Sequence, residues 1–381
     1  MANRIAFFGV KTFPSRGGTD RVAENIILQL KDRFEITVCC FKDPAAKHHM
    51  PGVNVVQFRQ WLPGAPGSFM YFFFSAFYLL FFGNVSIVHI HKTESTFFAP
   101  LLRLRFKVVS TSHEAQYKSD KWNSIAKIFF HLVERVYIHS SHVCTCISQP
   151  LSKFYEGKYG RRILFVPNGI NPVKPETYNI EGAKSFLPAG SSLDKPFVLF
   201  AARRLMSIKG CHTMLEALKR VDYKGQIFIT GELHTADEYM DKIKKLAEGL
   251  NVYFLGFVNP LPTLLGLISR ADLFIFPSET EGMSIMLLEV ASVGKPIIAS
   301  DIPENLQVFS DTEVLYFKSK NVDDLEDKLK FALANPGKMA DLGKNCQKKV
   351  YSDYLWVNIA VLYERIYLSL LASPDSNAHS K

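Results

Sequence analysis

Short apolar runs alternate with helix-patterned segments along nearly the whole chain, and the alternation starts twice. Such a pattern is the signature of βα units feeding a parallel sheet. In the first half the strand candidates are residues 4–10, 35–41, 53–58, 86–91, 106–110, 142–147 and 163–166. A turn-rich stretch follows, from Pro167 through Asn168-Gly169 to Pro172, Pro175, Pro188 and Pro196, and reads as an interdomain linker containing a short local element. The pattern then restarts with a strand at Phe197-Val198-Leu199-Phe200-Ala201, a helix at 211–220 and strands at 226–230, 252–256, 272–276 and 296–299. Residues 322–335, 337–350 and 355–371 read as helices, and 373–381 as a disordered polar tail. The prediction is an α/β protein of two doubly wound domains. A cleft between them would face the carboxyl ends of the strands, where ligands bind in such sheets.

A length of 381 residues suits two domains, and 48% hydrophobic residues supply real cores. The chain opens directly on a strand, so a cleaved signal peptide is not expected. The six cysteines form no paired CxxC pattern; buried reduced thiols in the cytosol are expected. The formal charge, 45 − 36 = +9, points to an acidic partner: nucleic acid, anionic lipid or a phosphorylated substrate. No Lys/Arg block or aromatic-basic interleave is present, so no nucleic-acid partner is expected.

The most informative residues are Glu281 and Glu289. Glu281 follows the strand Leu273-Phe274-Ile275-Phe276-Pro277 on the turn before a helix, and Glu289 falls about two turns inside that helix. Carboxylates accept hydrogen bonds from hydroxyls, and free amides at a helix start take an anion. The pair therefore suits a ligand with both. Arg204 and Lys209 follow the first strand of the second half and are spaced to clamp a diphosphate. Arg203 is an alternative clamp, and a solvated basic loop is the plain reading. Gly17-Gly18-Thr19 lies between the first strand and a helix, where backbone can approach an anion, although an ordinary βα turn looks the same. It is neither GxGxxG nor GxxxxGK[ST]. His113 sits just past a strand, placed to donate to a hydroxyl. His89 and His91 share one face of a strand, with no third metal ligand evident. Residues 69–82 are apolar on every side; at 14 residues they fall short of the roughly 20 that span a bilayer. They read either as a packed crossover helix or as a membrane-docking element, which the net positive charge favours.

Taken together, these segments resemble the family 4 retaining glycosyltransferases, which have the GT-B fold of two Rossmann-like domains facing a central cleft. The resemblance rests on Glu281-Gly282 with Glu289, Arg204-Leu205 with Lys209-Gly210, Pro167-Asn168-Gly169-Ile170-Asn171, Gly17-Gly18-Thr19-Asp20-Arg21 and Asp353-Tyr354-Leu355-Trp356. This chain departs from the family pattern at Arg203, Ser284, Asn171 and Asp20.

The resemblance implies an acceptor-side domain at 1–172, rejoined by a helix at 353–371, and a nucleotide-sugar-binding domain at 173–352. It implies that Arg204 and Lys209 hold the donor diphosphate, with the amides of Met283, Ser284 and Ile285 beside Gly282. Glu281 would bind the transferred sugar, Glu289 the ribose, and His113 the sugar near its 6-position. Gly17 and Gly18 would approach from the other domain, and base recognition would lie near Leu255-Gly256-Phe257-Val258. The implied enzyme is a retaining glycosyltransferase of hexosyltransferase type, metal-independent and without a cofactor beyond its UDP- or GDP-sugar co-substrate. Its acceptor would be lipid-linked or an oligosaccharide. It would work in the cytoplasm at the anionic inner-membrane surface, peripherally associated, in polysaccharide biosynthesis such as that of lipopolysaccharide. The alternatives are a nucleotide-sugar epimerase and a non-catalytic membrane-associated binding protein.

Overall fold

The computed structural model describes residues 3–15, 17–43, 50–115, 123–232 and 238–372. The chain divides into two compact units, Met1–Gly169 with Trp356–Lys381, and Ile170–Leu355. The tail at 373–381 lies outside the described residues.

The first unit runs β1 (Arg4–Phe8), α1 (Gly18–Leu30), β2 (Glu35–Phe41), β3 (Val53–Phe58), α2 (Gly64–Phe82), β4 (Ile87–His91), α3 (Ala99–Leu102), β5 (Lys107–Ser112), α4 (Ser124–Ser140), β6 (Val143–Cys146), α5 (Gln149–Tyr159) and β7 (Leu164–Phe165). Its sheet has the order β3-β2-β1-β4-β5-β6-β7, with parallel pairing. Ile5, Ala6, Phe7 and Phe8 of the inner strand β1 are wholly buried. That strand is apolar without alternation because helices cover both faces of a parallel sheet.

The second unit runs α6 (Ile180–Lys184), β8 (Phe197–Arg204), α7 (Cys211–Arg220), β9 (Gln226–Glu232), α8 (Glu238–Ala247), β10 (Val252–Gly256), α9 (Leu261–Arg270), β11 (Leu273–Phe276), α10 (Ile285–Val293), β12 (Ile297–Ser300), α11 (Pro303–Leu306), β13 (Leu315–Phe317), α12 (Val322–Ala334) and α13 (Pro336–Asp353). Its sheet order is β10-β9-β8-β11-β12-β13, again parallel. The chain then breaks at Tyr354-Leu355 and continues as α14 (Trp356–Ala372), which belongs to the first unit. Arg33 of the α1–β2 turn forms an ion pair with Glu364 of α14, and Tyr367 of the same helix bonds His89.

In each sheet the strand order reverses once: between β1 and β4 in the first unit, and between β8 and β11 in the second. Loops leaving the carboxyl ends of the two strands at a reversal diverge to opposite faces and open a crevice, the usual ligand position in such sheets.

Three expectations need correction. The apolar helix α2 has 19 residues, not 14, because Gly64 to Ser68 extend it at the start, so length does not exclude a span. Glu289 is the fifth residue of α10, under a turn and a half in, because the helix begins only at Ile285. β13 was not foreseen; three residues carry too little pattern to declare a strand.

All six cysteines are free and buried. Burial pushes the Cys144 thiol up to about 11 and raises the others, so these thiols serve packing rather than nucleophilic chemistry.

Candidate active site at the sheet reversals

In the second unit the loops after β8 and β11 are welded together. Gly210 has φ +70°, and a Cβ there would lie 1.9 Å from the carbonyl oxygen of Pro277. Only glycine permits that approach. The Glu279 N–H donates to the Ile208 carbonyl at 2.8 Å. This contact delivers Lys209 to Glu281: Nζ donates to Oε1 at 2.7 Å. Ser278 Oγ donates to the same oxygen at 2.8 Å, and its backbone carbonyl is held in turn by Ser300. Glu281 is thus fixed at the mouth of the reversal, with its side chain 10% exposed against 25% for Lys209.

Arg204 pairs in register with Glu232 of β9, and its Nε lies 3.2 Å from that carboxylate. Arg203 Nε reaches the same carboxylate at 3.6 Å. Consecutive strand residues normally point to opposite faces. Here a register irregularity between Ala201 and Arg204 turns both arginines to one partner.

Helix α10 starts beside Glu281. Ser284 is its N-cap, accepting from the Leu287 N–H at 3.3 Å. The amides of Ile285 and Met286 have no partner within the helix, as in any first turn. The helix starts at Ile285, two residues beyond Met283, the first of the expected set of Met283, Ser284 and Ile285. Met283 is buried, and Gly282 makes the turn between Glu281 and that side chain. Glu289 is buried on α10, 3% exposed. Three cations, a fixed carboxylate and a helix N-terminus at one reversal make an anion site with a hydroxyl acceptor attached. At the edge strand β10, the Gly256 carbonyl accepts from Thr230 Oγ1 at 2.7 Å, and Phe257 is exposed next to it.

The first unit uses the same weld. Gly9 has φ +85°, and a Cβ there would lie 2.1 Å from the His91 carbonyl oxygen. Gly17 is the N-cap of α1 and Gly18 its first residue. Asp20, one turn on, is buried. Its carboxylate accepts from the Lys11 N–H (3.2 Å), the Thr12 N–H (3.1 Å), Thr12 Oγ1 (2.9 Å) and Lys92 Nζ (2.7 Å). Burial alone would raise the Asp20 pKa; the Lys92 charge and these hydrogen bonds outweigh it and hold the carboxyl below its ordinary value. Lys92 takes φ 75°, ψ 131°, a conformation costly for a residue with a Cβ.

His113 is buried behind this pair, with Nε2 3.4 Å from His91 Nδ1. Burial, helped by the Lys92 charge and opposed by Asp20, pushes its pKa down to about 3, so the ring is neutral. His89 engages both ring nitrogens, with Tyr367 and Thr111 at 2.7 Å each, which leaves it none for a metal. Among the described residues no group of three or more His, Cys, Asp or Glu is placed to hold a metal ion.

Of the expected residues, the structure brings together Lys209, Glu281 and the start of α10. Arg204 sits with Arg203 on Glu232, and Glu289 is inside the helix. Gly17, Gly18 and His113 lie at the carboxyl edge of the other sheet. Sequence reasoning did not single out Glu232 or Lys92. Both end or follow strands next to a reversal, and that position was the available signal.

Residues 16–174 match the model of Glycosyltransferase Family 4, and residues 185–349 match that of Glycosyl transferases group 1. An uncharacterized glycosyltransferase of Methanocaldococcus jannaschii is 26% identical over 59% of this chain and 56% of its own length. The N,N'-diacetylbacillosaminyl-diphospho-undecaprenol alpha-1,3-N-acetylgalactosaminyltransferase of Campylobacter jejuni is 29% identical over 40% of this chain and 39% of its own. The chain thus spans about half, or less, of the length of these curated relatives. The structure of Anabaena HepE in complex with UDP and glucose superposes with a TM-score of 0.76 at 18% identity, covering 96% of this chain and 99% of that one. The architecture is that of the GT-B fold, two Rossmann-like units in one chain. The chain belongs to the family 4 glycosyltransferases.

Proposed function

We propose that the chain transfers a sugar from a nucleotide-sugar donor, with retention of anomeric configuration, to a lipid-linked or saccharide acceptor. The observation that carries this reading is the Lys209–Glu281 contact of 2.7 Å beside the start of α10. A leaving nucleoside diphosphate gathers negative charge. Lys209, Arg204 and the amides of Ile285 and Met286 stabilise it. Glu281, held by Ser278 and Lys209, offers its carboxylate to the hydroxyls of the transferred sugar. Glu289 binds the ribose, reached by a small adjustment of the first turn of α10. His113, neutral at working pH, hydrogen-bonds the sugar without competing for the phosphate. Charge stabilisation of this kind needs no general base on the protein, because a phosphate oxygen takes the acceptor proton. It needs no metal either, because fixed cations do the work.

The relatives support the acceptor and pathway reading: one carries a diphospho-undecaprenol acceptor in its name. A lipid-linked acceptor places the reaction at the cytoplasmic face of a membrane, in the assembly of a surface polysaccharide. HepE holds UDP and glucose, which favours UDP among donors.

The test is turnover of a panel of UDP-, GDP- and ADP-sugars, with the anomeric configuration of the product read by NMR. Lys209→Ala is expected to lower kcat about 10²–10³-fold, the effect of removing one charge-stabilising donor from such a site. Unchanged turnover in both Lys209→Ala and Glu281→Ala would overturn the assignment. Donor consumed without acceptor and returned as a sugar epimer would replace transfer by epimerisation.

A further inference from the structure

The first unit has an apolar face that its own fold does not cover. On one side of α2, Tyr71, Phe72, Ala76 and Leu79 are buried, and the Tyr71 hydroxyl lies 2.6 Å from the Val10 carbonyl oxygen. The other side is a ridge of rings one turn apart. Phe73 and Phe77 have centroids 4.5 Å apart, and Phe77 and Phe81 5.8 Å. Phe69 carries the ridge onto Phe97, 5.4 Å away, and Phe97 meets Phe129 of α4 at 6.4 Å. There Ile125, Ile128 and Leu132 continue it on the same helical face, with Ile125 78% and Phe81 68% exposed. A contiguous apolar surface drawn from two helices and a connecting turn marks an interaction site.

The charges around it select the partner. Between Asp43 and Glu114 the only acidic residue is Glu94, and the only one in α4 is Glu134, which is buried against Lys158 at 2.6 Å. Arg59 lies over the Trp61 ring at 5.3 Å before the start of α2. Arg103 and Arg105 flank the exposed Leu104, and Arg105 donates to the Leu80 carbonyl near the end of α2. Apolar ridge, boundary tryptophan and marginal arginines match a headgroup layer of negative charge. A second copy of the same face would set arginine against arginine.

We propose that this face docks on an anionic lipid bilayer, with α2 lying in the interface rather than across it. The buried side of α2 belongs to the core of the sheet, so the helix enters lipid only to the depth of its outer rings. α2 and α4 run antiparallel to the strands, and their first turns, with Phe97, lie at the carboxyl edge of the sheet. Gly17, Gly18 and His113 are on that same edge. Granted the acceptor reading above, a lipid-linked acceptor meets this edge without leaving the bilayer; the docking itself does not depend on that reading.

The test is cosedimentation of the full chain with vesicles of phosphatidylcholine alone and of phosphatidylcholine mixed equally with phosphatidylglycerol. Wild type is expected to bind the mixed vesicles roughly tenfold or more tightly, and less so at high salt. The triple variant Phe81→Ser/Ile125→Ser/Ile128→Ser is expected to lose at least about tenfold on the mixed vesicles at an unchanged thermal midpoint, since these side chains are largely exposed. Arg59→Gln/Arg103→Gln, which leaves the apolar ridge intact, is expected to lose binding to the mixed vesicles selectively. Equal binding to both vesicle types, no binding by wild type, or ridge-dependent self-association in place of vesicle binding would each overturn the proposal. Donor turnover on a soluble acceptor without lipid is expected to be equal in all three proteins, so a failed vesicle result leaves the donor chemistry standing.

Discussion

At the reversal of the first sheet, Gly9 admits the carbonyl of His91; at the reversal of the second, Gly210 admits the carbonyl of Pro277. Each close approach brings a lysine to a carboxylate at 2.7 Å. There the likeness stops. The side chains of Asp20 and Lys92 are 8% and 10% exposed, and the carboxylate is further tied to two backbone amides. Lys209 is 25% exposed, and Arg203, Arg204 and Glu232 are more open still. A buried pair cannot change partners without leaving a charge uncompensated. At the second reversal Glu281 is also largely covered, its side chain 10% exposed, but Lys209 and the Arg203, Arg204 and Glu232 set reach water, where screened attractions yield more readily to a ligand. The first reversal is built to hold its shape and the second to exchange its internal carboxylates for an incoming anion.

Removing one lysine from each pair gives the widest separation. Lys92→Met leaves Asp20 buried and unpaired, a loss of about 3–5 kcal/mol in unfolding free energy. Lys209→Met is expected to lose less, about 1–3 kcal/mol, because Ser278 still donates to Glu281, while weakening nucleotide binding. Trp61 and Trp356 belong to the first unit, so tryptophan emission during urea unfolding reads that unit, and far-ultraviolet circular dichroism, which sees the helices of both units, reads the second alongside it. Lys92→Gly sharpens the point. It removes the same charge but relieves a strained φ of 75°, so it is expected to be more stable than Lys92→Met by about 1–2 kcal/mol. If Lys92→Met unfolds no more easily than Lys209→Met, the contrast between the two reversals fails.

Acid separates the units next. Burial depresses the pKa of His89 and His113 to about 3 and holds that of His91 well below its ordinary value. Above pH 6.5, their ordinary value, folded and unfolded chains both hold these rings neutral, and their contribution to stability is complete. As the pH falls, the unfolded chain binds protons that the folded chain refuses. The first unit then loses up to about 1.4 kcal/mol per pH unit for each ring. For His89 and His113 the loss ends near pH 3, where the folded rings titrate. Asp20, held below its ordinary value of 3.8, acts later: its contribution is full above that pH and is lost as the pH falls through its lowered folded value. The tryptophan-detected midpoint is therefore expected to fall steadily from pH 6.5 to 4. In His113→Gln the slope is expected to be shallower by one ring. A flat midpoint over that range would show the rings to be protonated in the folded state.

The strands β2, β3 and β10 were legible to the residue because each is a short run rich in β-branched and aromatic residues. The same logic put Lys209 and Glu281 at carboxyl ends of strands and so near a ligand. It did not reveal that they touch each other, because the contact depends on the positive φ of Gly210 and the carbonyl it admits. Lys92 was invisible for a related reason. Its partner Asp20 lies 72 positions away, and nothing local announces a non-glycine residue at φ 75°. The faces of α2 were unreadable because phenylalanine occurs all round it. Which rings are buried is decided by the strands beneath, not by the period of the helix itself.

The smallest expected effect tests the exchange at the second reversal. Glu232 holds both arginines, and all three side chains are a third to a half exposed, so water and salt screen the attraction. Glu232→Gln is expected to tighten nucleoside diphosphate binding by only about two- to fivefold, with the gain shrinking as salt is added. The substitution also separates Arg203 from Arg204. If Arg204 is the clamp, Arg204→Gln lowers affinity in both the wild-type and the Glu232→Gln backgrounds, whereas Arg203→Gln matters little in either. The irregularity that turns both arginines to one carboxylate makes this a real question, since a regular strand would have pointed them to opposite faces. Isothermal titration at two salt concentrations reads it directly. A Glu232→Gln protein that binds more weakly than wild type would mean that Glu232 positions the arginines for the ligand, so that the carboxylate at this reversal holds as firmly as the one at the first.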